Sequence, residues 1–370
     1  MKILIVGAGI GGLSLARALL NRGISADIID WRSDWRTPGF GLFLPGNASR
    51  AFGQLGLMPL IMQSAVPIVR QDFLDFRGRL LSRIDAAAFW AGCGPCLSLP
   101  RAEMHAILRE SIETLPIRTG VTFSDLRQTS GGCVVTFDDQ STATYDLVVG
   151  ADGLNSTVRR LAVDPAPPSY TGDACWRFFV PNMIGISSWT VMLAKGRSLL
   201  VIPVDRSTLY VNAGIAHPSG DFSDFGAAAD LQKIFADFGV PLRPLLDRLP
   251  PATEMHFSRI ESVQPQTTVS GRVVLIGDAA HAMSPSMAEG AGLACEDAVL
   301  LADAVTGTHD LDAALEAYAP RRQSRVAWVQ KQSQTRDRIR WLPLALSGGL
   351  LRFAGGSLYR RSYEPLLIEA

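Results

Sequence analysis

The chain has 370 residues, 47% of them hydrophobic, and its 35 basic and 35 acidic side chains cancel to a formal charge of zero. That length supports a large core and about two domains, and the balanced charge leaves no broad basic field for nucleic acid. Five cysteines, an odd number with no secretion signal, fit a reducing cytoplasm better than a disulfide framework. The five scattered histidines lack zinc-ligand spacing, so no metal is expected. Phe178 to Ala194, the longest apolar stretch, is broken by Pro181, Asn182, Gly185 and Ser187, and no transmembrane segment is expected.

The first element carries the strongest signal. Ile3 to Val6 is an unalternating apolar run that breaks at glycine, as a parallel strand buried on both faces would. Gly7, Gly9 and Gly12 follow in G-x-G-x-x-G spacing. The first lets the chain turn, the second lets a pyrophosphate approach the backbone, and the third lets the next helix pack on its strand. That helix runs through Leu13, Ala16, Leu19 and Leu20 to Gly23, with its N-terminus, including Ile10 and Gly11, aimed at phosphates. The strand Ala26 to Ile29 ends on Asp30, about 20 residues on, where a carboxylate accepts hydrogen bonds from an adenosine ribose.

Residues 32–38 read as a polar connection, 39–47 as a short apolar run, and Ala48 to Gly56 as a helix. Gln71 to Ile84 looks like a hairpin. Cys93 and Cys96 match C-x-x-C, yet Leu97 to Pro100 after them looks extended rather than helical, so structural thiols are expected. Arg101 opens a helix, a position the macrodipole disfavours, which suggests contact with a phosphate or flavin edge. Short strands are expected over Gly120 to Phe123, Cys133 to Phe137 and Ala143 to Tyr145. A buried strand then ends at Asp152-Gly153, where ligands sit in open α/β sheets.

Pro165 to Pro168 marks a boundary. Cys175 to Val180, Thr190 to Leu193, Leu199 to Pro203 and Thr208 to Ala213 read as one antiparallel sheet. Asp230 to Phe238 and Leu242 to Leu249 read as helices, and Glu254 to Glu261 as a returning strand. The chain then re-enters the first fold with a third buried strand into Gly277-Asp278, a loop of small residues, and a long helix from about Gly290. Asp278 is placed to bond a ribityl hydroxyl, and the amides of Gly290, Ala291 and Gly292 to face a flavin ring or phosphate. Arg321, Arg322, Arg325, Lys331, Arg336, Arg338 and Arg340 crowd a late helix, expected as a solvated face, with contact to phosphate or a membrane surface as the alternative.

In this order, Gly7 to Gly12, Arg101, Asp152-Gly153, and Gly277-Asp278-Ala-Ala-His281 with Pro285 and Glu296-Asp297-Ala298 resemble the single-component FAD-dependent aromatic hydroxylases. Members include p-hydroxybenzoate and salicylate hydroxylases. The resemblance implies an α/β fold. A discontinuous Rossmann-like FAD-binding domain (1–70, 97–165 and 265–335) would carry an inserted antiparallel-sheet substrate domain (71–96 and 166–264), with C-terminal helices over 336–370. It also implies FAD, with NADH or NADPH as transient reductant. Molecular oxygen would add to give a flavin C4a-hydroperoxide that hydroxylates or epoxidises an aromatic or otherwise electron-rich small molecule.

By that resemblance Asp152 serves the FAD and NAD(P)H region, and Pro285 walls the flavin face. Two departures bear on substrate contacts. Ala288-Glu289-Gly290-Ala291-Gly292 replaces Gly-Gln-Gly-x-Asn, placing a carboxylate near the ring, and Ile202 stands before Pro203 where some members carry tyrosine. His281 and Arg177 are the candidates for acid–base work. The alternatives are a flavin-dependent disulfide oxidoreductase using Cys93 and Cys96, and a non-catalytic flavoprotein that binds a hydrophobic ligand.

Overall fold

A computed structural model describes residues 1–35, 40–222, 228–308 and 310–370; the expected polar connection over 32–38 lies partly outside them. Its centre is a six-stranded sheet built from β1 (Ile3–Val6), β2 (Asp27–Asp30), β8 (Ile117–Thr119), β12 (Leu147–Gly150), β18 (Val269–Ser270) and β19 (Val273–Leu275). The order is β18-β19-β12-β1-β2-β8. All pairings are parallel except β18 with β19. The strand expected at 120–123 is displaced: β8 forms just before it, and Gly120, at φ +67°, breaks the chain.

Both faces of this sheet are covered, which is why β1 shows no alternation. Ile3 and Ile5 pack with α1 (Ile10–Leu20), α5 (Arg101–Glu110) and α10 (Gly290–Thr306). Leu4 and Val6 pack instead under a three-stranded sheet of β9 (Phe123–Thr129), β10 (Gly132–Phe137) and β11 (Thr142–Tyr145). α2 (Gly46–Gln54) and α3 (Met58–Ser64) join the α1 side. A small sheet of β3 (Gly41–Leu44), β4 (Val66–Pro67) and β7 (Leu97–Pro100) lies between the layers, and α6 (Thr157–Ala162) follows β12.

The second large sheet has seven strands in the order β17-β13-β16-β15-β14-β5-β6. They are β5 (Arg70–Asp75), β6 (Leu80–Asp85), β13 (Ser169–Pro181), β14 (Trp189–Ala194), β15 (Arg197–Pro203), β16 (Thr208–Ala216) and β17 (His256–Ser262). The sheet is mixed rather than antiparallel throughout, because β14 and β5 pair in parallel. Alternation sorts its residues. Trp176, Phe178, Met192, Val201, Val211 and Ala213 face a core that includes Leu231, Phe235 and Leu245, contributed by α7 (Ala228–Ile234), α8 (Arg243–Leu246) and the turns beside them. Residues at the intervening positions face the other way, toward the six-stranded sheet.

α4 (Ala86–Trp90) and the four-residue α9 (Asp278–His281) complete the connections, and α11 (Leu311–Trp341) and α12 (Leu344–Tyr363) close the far side. The boundary expected at 336 falls inside α11, a continuous helix of 31 residues.

Candidate active site

A cavity of about 950 Å³ lies where the two large sheets meet, at the upper end of the range for small-molecule sites. Its floor is made by glycine turns at strand ends. Gly7 takes φ +105°, and a Cβ on it would stand 2.4 Å from the Ala151 carbonyl oxygen. A Cβ on Gly12 would stand 1.9 Å from the Gly7 oxygen, so α1 can approach β1 only without one. A Cβ on Gly9 would meet nothing within 4 Å; it would project into the cavity, which Gly9, Ile10 and Gly11 line.

Neither α1 nor α10 has a side-chain cap or an acid in its first turn, and both start at the cavity wall, with Gly290 and Ala291 lining it. Two sets of orphan backbone N–H donors are therefore available to anionic or carbonyl oxygens. Arg101 and Asp278 line the same space. Burial pulls the Arg101 pKa below its usual value while Asp278 raises it, and no ion pair engages Arg101 among the described residues. Pro285 and Ala288, the latter at φ +55°, form the adjoining loop.

The opposite wall is the second face of the seven-stranded sheet. Asp173, Cys175 and Arg177 of β13 line it at alternate positions, with Trp189, Leu200, Ile202 and Tyr210 beside them. Arg177 lies 5.0 Å from the centre of the Phe40 ring and donates to Ser258 Oγ at 2.9 Å, so it faces the cavity instead of open solvent. Ile202 and Tyr210 are partners in the ladder. A tyrosine therefore stands beside Ile202 on the same face of the sheet. Burial pushes Tyr210 up to about 12, and it stays a neutral donor. Asp173 is pushed up to about 6 by burial, against the pull of Arg340 at 3.4 Å.

Residues 1–333 match the protein family described as "FAD binding domain". The chain belongs to the FAD-dependent aromatic hydroxylases. The 2-heptyl-3-hydroxy-4(1H)-quinolone synthase of Pseudomonas aeruginosa is 30% identical over 374 residues, covering 99% of this chain and 97% of that one. The FAD-dependent urate hydroxylase of Klebsiella pneumoniae is 30% identical over 335 residues, covering 88% and 87%. Among solved structures, Klebsiella pneumoniae HpxO complexed with FAD and uric acid superposes with a TM-score of 0.89 at 26% identity, covering 99% and 97%. A salicylate hydroxylase substrate complex shares the fold at 0.83 and 22%, covering 100% and 98%.

In this hydroxylase the structure gathers Gly9, Ile10, Gly11, Arg101, Asp278, Pro285, Gly290, Ala291 and Arg177 around one cavity. The other expected residues lie outside that lining. Asp152 turns from the cavity and accepts from Thr157 N at 2.7 Å, Val158 N at 3.1 Å and Ser156 Oγ, fixing the start of α6. Burial raises its pKa and those bonds oppose the rise. Gly292 is a packing residue, since a Cβ there would stand 2.8 Å from that of Ala48 on α2. Asp30 sits at the end of β2 and accepts from Ala8 N and Arg32 N, both at 2.8 Å.

His281 lies outside the main cavity, held by Asp297 at 2.6 Å, so it is no base for a ligand there. Glu289 is likewise turned inward: only 1% exposed, it accepts from Asn47 Nδ2 at 2.8 Å and does not line the cavity.

The late basic cluster is split: Arg321, Lys331 and Arg338 are exposed as expected, whereas Arg322 and Arg325 turn inward. Arg322 pairs with Asp297 at 2.7 Å and Glu296 at 3.0 Å, Arg325 pairs with Glu296 at 2.8 Å, and all four side chains are under 10% exposed. Asp297 also accepts from Gly277 N at 2.8 Å. This network ties α11 and α10 to the loop that begins at Gly277. Burial alone would raise the Asp297 pKa, but His281 and Arg322 hold it well below the usual carboxylate range.

The disulfide-reductase alternative fails on chemistry. Cys93 and Cys96 are outside the cavity lining, and burial raises both thiols, Cys96 to about 12, whereas a reactive cysteine needs an accessible thiolate. Among the described residues no group of three or more His, Cys, Asp or Glu could hold a metal.

Sequence reading missed Asp173 and Tyr210, though their period-2 positions facing Arg177 and Ile202 carried a signal. Tyr359, reaching the cavity from α12, had none.

Proposed function

We propose that this hydroxylase uses NADH or NADPH and molecular oxygen to insert one oxygen atom into a neutral, largely apolar aromatic or electron-rich small molecule. One observation carries the reading: a single cavity joins two uncapped glycine helix starts to a sheet face of Trp189, Leu200, Ile202 and Tyr210. The first part suits a pyrophosphate and a flavin edge, the second an aromatic body. FAD, when bound, supplies electron uptake from the nicotinamide and activation of oxygen.

The chain's own residues would do the rest. The α1 start and Arg101 would hold the pyrophosphate, Asp30 the ribose and Asp278 the ribityl chain, while Pro285 and Ala291 would bound the ring. Tyr210, protonated at neutral pH, would donate from Oη to an oxygen or nitrogen of the substrate, and Arg177 would stabilise negative charge on it. The apolar walls would exclude water from the reacting centre.

The test is NADH or NADPH oxidation and oxygen uptake by FAD-loaded protein, with mass analysis of product, against alkylquinolones, urate and salicylate. Substrate-dependent consumption with a product heavier by one oxygen supports the reading. Tight ligand binding with no consumption by either nicotinamide would overturn it in favour of a binding protein.

A further inference from the structure

α12 has two faces with different tasks. Its inner face, through Ser347, Leu351, Gly355, Leu358 and Tyr359, lines the cavity. On its outer face Leu346, Leu350 and Phe353 fall at spacings of four and three residues, a single stripe on a helix. They are 63%, 38% and 94% exposed, and Trp341 and Leu342 extend the patch at 40% and 39%.

Charge along this segment is of one sign. From Arg338 to Tyr363 the sequence has no acidic residue, and Arg338, Arg352 and Arg360, none of which lines the cavity, are exposed with no ion pair among the described residues. The local excess stands out in a chain whose formal charge is zero. No helix is long and apolar enough to cross a membrane. An apolar stripe flanked by arginines without ion pairs is instead the pattern of an interfacial segment, in which the stripe enters the acyl boundary and the cations meet lipid headgroups. An acidic protein would satisfy the arginines but would need a groove to receive Phe353.

We infer that the outer face of α12 is a docking surface for an anionic lipid bilayer. It places the cavity wall one helix diameter, about 10 Å, from the lipid surface. The inference is independent of the flavin chemistry.

The test uses FAD-loaded full chain with two vesicle types, phosphatidylcholine alone and phosphatidylcholine containing phosphatidylglycerol, read by co-sedimentation. Binding is expected to the second and to weaken with salt. Phe353→Glu should abolish it, and Arg352→Ala with Arg360→Ala should weaken it by roughly fivefold per arginine. Phe353→Leu should restore it, and circular dichroism with flavin absorbance confirms that each variant is folded. No sedimentation with either vesicle overturns the inference, as does equal binding to both. A dimer seen by light scattering and split by Phe353→Glu, without vesicle binding, would overturn it by assigning the face to a second copy of this chain.

Discussion

Glu289 offers the sharpest test of how this fold treats charge. Its Oε1 has no hydrogen-bond partner among the described residues. Burial, opposed by the Asn47 bond, pushes its pKa from 4.5 to about 8. Between those values the folded protein holds a proton that the unfolded chain has released. Stability therefore falls as pH rises through that window and levels off above it. The span, at about 1.4 kcal/mol per unit, bounds the loss at about 4–5 kcal/mol. Glu289→Gln keeps the shape and an acceptor for Asn47 while removing the titration. Urea denaturation of both proteins at equal FAD excess should give matching stabilities near pH 4.5. The variant should then gain a growing margin toward about pH 8. Because both proteins share every other titrating group, the difference isolates this one. Parallel stability curves across the window would refute the reasoning and mean that Glu289 is ionised in the fold.

Gly9→Ala should leave apoprotein stability within about 0.5 kcal/mol, yet weaken FAD binding by roughly 10- to 100-fold through lost charge-assisted bonds. Flavin titration and thermal melts of the apoprotein check both. Gly12→Ala should instead destabilise the fold by about 1–3 kcal/mol, because its methyl meets the Gly7 oxygen; equal melting behaviour of the two variants would contradict the assigned roles. Arg322→Ala strands Asp297 and half the pairing of Glu296 in the interior and should cost about 3–5 kcal/mol, measured by chemical denaturation. Cys93→Ser with Cys96→Ser should leave substrate-dependent NAD(P)H consumption intact; loss of turnover in a folded, flavin-loaded double variant would revive the dithiol alternative.

The sequence by itself determined the strand–glycine–helix units that start at Ile3 and Val273, because unalternating apolar runs and residues without Cβ have local steric causes. It also showed that the segments of β13 to β16 are successive strands of one sheet. Which face of that sheet meets the helices and which meets the cavity was decided only in three dimensions. Arg322 meets Asp297 from 25 positions away, and a helical period says which way a charge points without naming its partner. Asp152 and Glu289 sit in ligand-like loops, yet their carboxylates turn toward neighbouring amides, since bonding N–H groups costs less than facing an apolar wall unpaired. α12 closes the cavity by packing Gly355 against Ser82 of a strand far earlier in the chain, and a helix's own residues do not specify that distance-spanning contact.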